Sequence, residues 1–184
     1  MARTALPSML CHTVRSKGSR RAPVAILAAA SLAASPLAPQ PHSARLLFAS
    51  PYWAAFDRGT TCAAVARSEV AASPGRDQAH AMISFDRRPG QRHGELHLRL
   101  SRPAPTGTAA LLQVGNAGFQ LVTRGADAWS SGPPQESAII AAMRAAGDMR
   151  LRFRSADGAH TDRYLLPGAP TAIDAAAAAC SGAR

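Results

Sequence analysis

The stretch MRLRFRSADGAHTDRYLL, residues 149–166, carries the clearest fold signal in the chain. Apolar and polar residues alternate over 149–155, which is the period of a strand with one buried face, and a second candidate strand follows over 160–166. Between the two runs lies Asp157-Gly158, a favoured pair for a tight turn. The stretch therefore predicts an antiparallel β-hairpin.

The same period of two recurs upstream of this hairpin. Residues 79–85 and 95–101 each place a row of apolar side chains on one face. A second hairpin is predicted where Ala109–Val114 and residues 119–123 flank the glycine-containing segment 115–118. These runs, punctuated by glycine and proline, indicate a mainly β domain.

Two helices interrupt the strands. A helix over 134–146 places Ile139, Ile140 and Met143 on one face, after the capping candidates Ser130 and Ser131 and before Gly147. A second, alanine-rich helix over 172–180 begins at the capping candidate Thr171 and is anchored by Ile173. The predicted class is a β-sandwich-like domain with two short α-helices.

The amino-terminal segment, residues 1–38, has the layout of a secretory signal peptide. Lys17, Arg20 and Arg21 precede an apolar run over 22–38 that is rich in alanine and closed by prolines. A membrane anchor is the alternative. A membrane-spanning helix needs about 20 strongly apolar residues, and the run over 22–38 is shorter and rich in small residues. We predict leader removal, a flexible lead-in over 39–50 and a single β-rich domain over 51–184. The mature protein is expected in the periplasm or outside the cell, without stable membrane insertion.

The net charge of +10 gives little information about function. Six of the 21 basic residues precede residue 51, and no acidic residue occurs there. The remaining 15 basic residues are therefore balanced by all 11 acidic residues. A nucleic-acid-binding groove combines clustered cations with aromatic rings that stack on bases. A near-even charge balance with few aromatic residues is instead typical of an ordinary solvated surface. Nucleic acid is therefore not expected as a partner.

The predicted domain contains two cysteines, Cys62 near its start and Cys180 near its end. In an oxidising compartment two cysteines normally pair. The bridge would close a loop of about 119 residues and stabilise the fold by about 4 to 5 kcal/mol. A catalytic Cys62 thiolate is the alternative, and it would need a neighbouring base.

Several soft motifs appear in an order that resembles a known family. They are Trp53, the segment 119–121, Trp129, the helix 138–144, the strand 149–151, the segment 164–168 and the run from Ala172 to Cys180. In this order they resemble the invasion-associated locus B family over residues 51–181. The resemblance implies an exported, mainly β protein without an established catalytic site. Many family members carry further cysteines where this chain has Asp57 and the stretch 123–127, so the resemblance is that of a divergent member.

No catalytic motif assembles in the sequence, and no cofactor is predicted. His93, Glu95 and His97 alternate on one strand face, so they form either a polar face or a metal site; we expect the polar face. His160 and Asp162 also share a face, as a surface pair or an acid/base dyad. We predict no catalytic residue and no metal ligand, and a small periplasmic hydrolase is the alternative function.

One surface feature stands out, because Arg150, Arg152 and Arg154 alternate with buried positions and must point together into solvent. Arg163 on the neighbouring strand extends the row, and guanidinium groups suit phosphate or carboxylate. The row is either an anion-binding face or a charged face that discourages edge pairing. Trp53 and Trp129 are either core anchors or recognition residues. The predicted function is a non-enzymatic envelope protein whose partner is an anionic envelope component or another envelope protein.

Overall fold

The computed structural model describes residues 44–88 and 93–181. Within these residues nine strands and two helices follow one another along the chain. Their bounds are β1 (Arg45–Ala49), β2 (Trp53–Asp57), β3 (Thr61–Arg67), β4 (His80–Asp86), β5 (His93–Ala104), β6 (Ala109–Val114), β7 (Ala117–Trp129), α1 (Pro133–Ala145), β8 (Asp148–Ser155), β9 (Gly158–Leu165) and α2 (Ala169–Ser181). The predicted signal peptide, residues 1–38, lies outside the described residues.

The strands form one antiparallel sheet in the order β1-β2-β3-β4-β5-β7-β6-β8-β9. Strand β7 joins two halves of the sheet, because its first part pairs with β6 and its last part pairs with β5. Gly125, the first β7 residue paired with β5, has φ 58°, a conformation that glycine adopts readily. The sheet bends so that β9 approaches β5, and the Asp162 carboxylate accepts the Ser101 N–H at 2.9 Å. The predicted mainly β, sandwich-like class with two helices is confirmed.

The core fills the space between the two halves of the sheet. Alternate residues of each strand point inward, and the largest fully buried side chains from the strands are Trp53, Ile83, Leu96, Leu98, Leu112, Leu121, Met149, Leu151 and Tyr164. The Trp53 indole N–H donates to the Leu165 carbonyl at 2.8 Å, so β2 and β9 are joined across the core. Trp53 is therefore a core anchor rather than an exposed recognition residue.

Helix α1 packs on the core as the sequence predicts, since Ile139 and Met143 are fully buried. Its start differs from the prediction. The residue before the helix is Gly132, and no side chain caps it in the described structure. Instead, Gln135 Oε1 accepts the N–H of Ser131 at 2.7 Å. A serine-rich start is thus held by a side chain inside the helix rather than by a serine cap.

Helix α2 begins three residues before its predicted start at 172, so Thr171 lies inside the helix and is not its cap. The chain turns into the helix at Gly168, whose φ is 90° and whose missing Cβ would collide with Ser50. The predicted disulfide is confirmed: Cys180 in the last turn is bonded to Cys62 of β3, with 5.8 Å between their Cα atoms. Both ends of the domain are tied together there.

The lead-in predicted over 39–50 needs a correction, because residues 45–49 form the edge strand β1. The strand pairs with β2, and Leu47 and Phe48 pack against the core. Its apolar run, Leu46-Leu47-Phe48, lacks alternation because the register shifts between Leu46 and Phe48. The bulge explains why a period of two is absent from the sequence there.

Both predicted hairpins exist, but their turns are shorter or shifted. Strand β7 begins at Ala117, so Gly115 and Asn116 alone connect it to β6. In the second hairpin Ala156 and Asp157 form the turn, and Gly158 is the first residue of β9. Positive φ at Gly115 lets the tighter turn form.

Candidate anion-binding face

The four predicted arginines lie together on the outer face of the sheet, the side away from the core. In β8 the three apolar residues are buried and the three arginines between them are exposed. Arg163 of β9 is also exposed and is paired directly opposite Arg150. Residues two apart in a strand lie about 6.8 Å apart, so the β8 arginines span about 14 Å. We call Arg150, Arg152, Arg154 and Arg163 the arginine row.

Acidic residues compensate only one end of the arginine row. Arg150 Nε lies 3.0 Å from Asp148 Oδ2, and Arg163 Nη2 lies 3.8 Å from the same oxygen. Arg163 Nε also lies 3.7 Å from Glu69 Oε2. Within residues 44–88 and 93–181, Arg152 and Arg154 make no ion pair. The uncompensated positive charge is therefore concentrated at Arg152 and Arg154.

Sequence reasoning missed the surroundings of the arginine row. Strand β6 lies beside β8, with Leu111 opposite Arg152 and Gln113 opposite Arg150. Arg124 of β7 is exposed too and follows the outward positions of that strand. The sequence offers no polar–apolar alternation next to Arg124, because the outward Val122 is apolar and the inward Thr123 is polar. The β6–β8 pairing cannot be read from a local pattern either.

A second polar cluster lies on the outer face of β5 and the end of β7. His97 Nε2 is 2.9 Å from Asp127 Oδ1, and Arg99 Nη1 is 3.0 Å from the other oxygen of that carboxylate. Arg99 also pairs with Asp77 at 3.1 Å. Trp129, half-buried, lies beside His97 with 5.4 Å between ring centroids. The charges of this cluster compensate one another.

The alternating residues His93, Glu95 and His97 are predicted to form a polar face, with a metal site as the alternative. Glu95 and His97 are half-buried on the face opposite the buried Leu96 and Leu98. The side chain of His93 lies outside the described part of the structure. Among the described residues no group of three or more histidine, cysteine, aspartate or glutamate side chains converges as a metal site.

The predicted pair of His160 and Asp162 does not form a hydrogen-bonded dyad. Asp162 points into the core and is bonded to the Ser101 N–H, and burial raises the pKa of its carboxyl. His160 instead contacts the turn of its own hairpin. Its Nε2 lies 2.8 Å from Ser155 Oγ and 3.0 Å from Asp157 Oδ1.

The resulting trio of Ser155, His160 and Asp157 differs from a catalytic triad. In a triad the carboxylate holds one ring nitrogen while the other nitrogen takes the serine proton. Here both partners meet the same nitrogen, and Ser155 donates directly to Asp157. Hydrogen bonds from Ser155 and His160 lower the pKa of Asp157 to about 2. The trio therefore stabilises the hairpin turn and does not form a proton relay.

Two open grooves lie on the described part of the chain. One, of about 700 Å³, lies over β2 and β3 and is lined by Tyr52, Phe56 and Val65 with Arg67 and Glu69 at its rim. The other, of about 470 Å³, lies where β6 and β7 meet the start of α1, and Val122 and Gln135 line it. Neither groove contains the histidine clusters.

Comparison with family models, with curated proteins and with solved structures found no match for this chain. The resemblance to the invasion-associated locus B family therefore stays a prediction from the order of its motifs. In the described part of the chain neither helix is long and apolar enough to cross a bilayer.

Proposed function

We propose that this chain is an exported, non-enzymatic envelope protein that binds an anionic envelope component through the arginine row. A divergent place in the invasion-associated locus B family is part of the proposal. The observation that carries it is the pair Arg152 and Arg154, which lie exposed on one face without an ion-pair partner among the described residues. An anion can bind these guanidinium groups without breaking an existing ion pair.

The geometry of the arginine row suits phosphate groups spaced along a surface. Each guanidinium offers a planar fork of donors that can grip two oxygens of one phosphate. The strand fixes the spacing of the forks, because Met149, Leu151 and Phe153 anchor it in the core. The phosphate groups of lipopolysaccharide fit this description, and we expect the arginine row to bind them.

Export is supported by two observations on different parts of the chain. The sequence of residues 1–38 has the charge and apolar pattern of a leader. The Cys62–Cys180 disulfide suits an oxidising compartment, since reducing compartments keep thiols unpaired. Both observations favour the periplasm or the cell exterior as the place of action.

The decisive variant is R152E/R154E, assayed for binding to lipopolysaccharide. It reverses the two uncompensated charges, so we expect binding to weaken at least tenfold and the remaining binding to lose its salt dependence. The matched control is R58E/R76E, which changes net charge equally at two exposed arginines elsewhere. Equal weakening by both variants would show that net charge alone drives binding, and unchanged binding by R152E/R154E would refute the proposed site.

A further inference from the structure

The outer face that carries the arginine row also carries two exposed aliphatic side chains. Leu111 of β6 is 46% exposed and Val122 of β7 is 58% exposed. Leu111 lies directly opposite Arg152, with about 5 Å between neighbouring strands. Val122 lies diagonally across the β6–β7 pair, since its partner Ala109 is two residues from Leu111. The apolar pair therefore adjoins the uncompensated arginines.

Acidic residues are scarce on this face. The outward positions of β6, of β7 up to residue 124, of β8 and of β9 carry five arginines and one acidic residue, Asp148. Asp148 is already shared between Arg150 and Arg163. The face is thus cationic and apolar at once. We call the set Leu111, Val122, Arg152 and Arg154 the amphipathic face.

A ligand that complements the amphipathic face needs anionic groups next to an apolar region. A dissolved polyanion supplies only the charges, and it would leave Leu111 and Val122 in water. An anionic lipid surface supplies both, because its headgroups lie a few ångströms above the acyl boundary. Each arginine near such a surface adds about fivefold to the affinity.

We propose that the amphipathic face docks on an anionic lipid surface, with Arg152 and Arg154 among the headgroups and Leu111 and Val122 at the acyl boundary. The inference rests on the proposed function, because the same arginines provide the anionic contact. It adds the class of partner, which is an assembled lipid surface rather than a soluble polyanion.

The experiment measures binding to three probes. They are vesicles of phosphatidylcholine with phosphatidylglycerol, vesicles of phosphatidylcholine alone, and soluble polyphosphate. The variant L111S/V122S removes the apolar pair, and V122T is a second variant of nearly unchanged shape. The control L46S/V70S makes the same kind of change at two exposed positions elsewhere, Leu46 and Val70.

We expect the wild-type chain to bind anionic vesicles and not neutral ones. L111S/V122S should weaken vesicle binding about tenfold, because two half-exposed side chains no longer leave water. V122T should weaken it about threefold, and the binding of polyphosphate should stay unchanged in both variants. The control should bind like the wild type, with folding of every variant checked by circular dichroism.

One outcome would overturn only the lipid surface as partner, and another would overturn the anionic contact as well. If polyphosphate binds and L111S/V122S and V122T leave vesicle binding unchanged, the lipid surface is the wrong partner and the proposed function remains. If the wild-type chain binds neither polyphosphate nor anionic vesicles, the proposed anionic contact fails together with this inference.

Discussion

Replacing both disulfide cysteines, as in C62S/C180S, should remove a large part of the stability of this domain. The bond joins buried positions in β3 and α2 that are 118 residues apart in the chain. For a loop of this length the chain-entropy model gives about 5 kcal/mol of stabilisation, acting on the unfolded state. Ordinary domains unfold with about 5 to 15 kcal/mol, so the variant should be marginally stable at best.

The native arrangement of α2 should survive the loss of the bond. Ala172, Ile173 and Ala176 remain buried against the sheet, so the helix keeps its apolar contacts. Urea unfolding followed by circular dichroism, with and without reductant, measures the difference in the free energy of unfolding. The reduced wild-type chain should match C62S/C180S, because both lack the same cross-link.

The matched control is D174N, which breaks the exposed ion pair of Asp174 with Arg144 between α2 and α1. Exposed ion pairs contribute about 0 to 1 kcal/mol, so this variant should unfold close to the wild type. A fall of less than about 1 kcal/mol on reduction would refute the loop-closure argument. It would mean that the reduced unfolded chain is already compact, or that α2 contributes little to the folded state.

Two further stability predictions concern buried polar contacts. Burial raises the pKa of the Asp162 carboxyl, so the native state stays protonated to a higher pH than the unfolded state. The contribution of Asp162 to stability is therefore lost as the pH rises through its native pKa. D162N should therefore melt above the wild type at pH 7, with the difference shrinking towards about pH 4; a lower melting temperature at pH 7 would contradict this. W53F removes the indole bond to Leu165 and should cost about 2 kcal/mol in urea unfolding; a cost below about 0.5 kcal/mol would contradict the core role of Trp53.

Strands with strict alternation were predictable from sequence, and strands without it were not. β8 alternates arginine with buried apolar residues, so its period of two is plain. β1 and β2 are five residues each, and β1 contains a bulge. β3 is rich in alanine and buries several of them, which blurs the contrast between its faces. These strands are held by pairing and by α2, which are contacts distant in sequence.

The candidate site shows the same division between local and distant information. The common direction of Arg150, Arg152 and Arg154 follows from one strand and needs no tertiary knowledge. The neighbour of Arg152, Leu111, is 41 residues earlier in the sequence and becomes adjacent because β6 lies between β7 and β8. No local pattern encodes that order, so the apolar part of the amphipathic face was not predictable.

The two arginine-containing regions of the outer face differ in how their positive charges are compensated. Arg99 is held by Asp127 and Asp77, so a ligand there must displace existing carboxylates. Arg99 donates hydrogen bonds to the carboxylates of Asp127 and Asp77, and these bonds raise the pKa of Arg99 because they stabilise its charged form. Arg152 and Arg154 have no carboxylate partner in the described structure, so an incoming anion would not have to displace one. Similar residue types on one sheet are therefore arranged differently: Arg99 of β5 is paired with carboxylates, whereas Arg152 and Arg154 of β8 are available to the anionic partner that we propose.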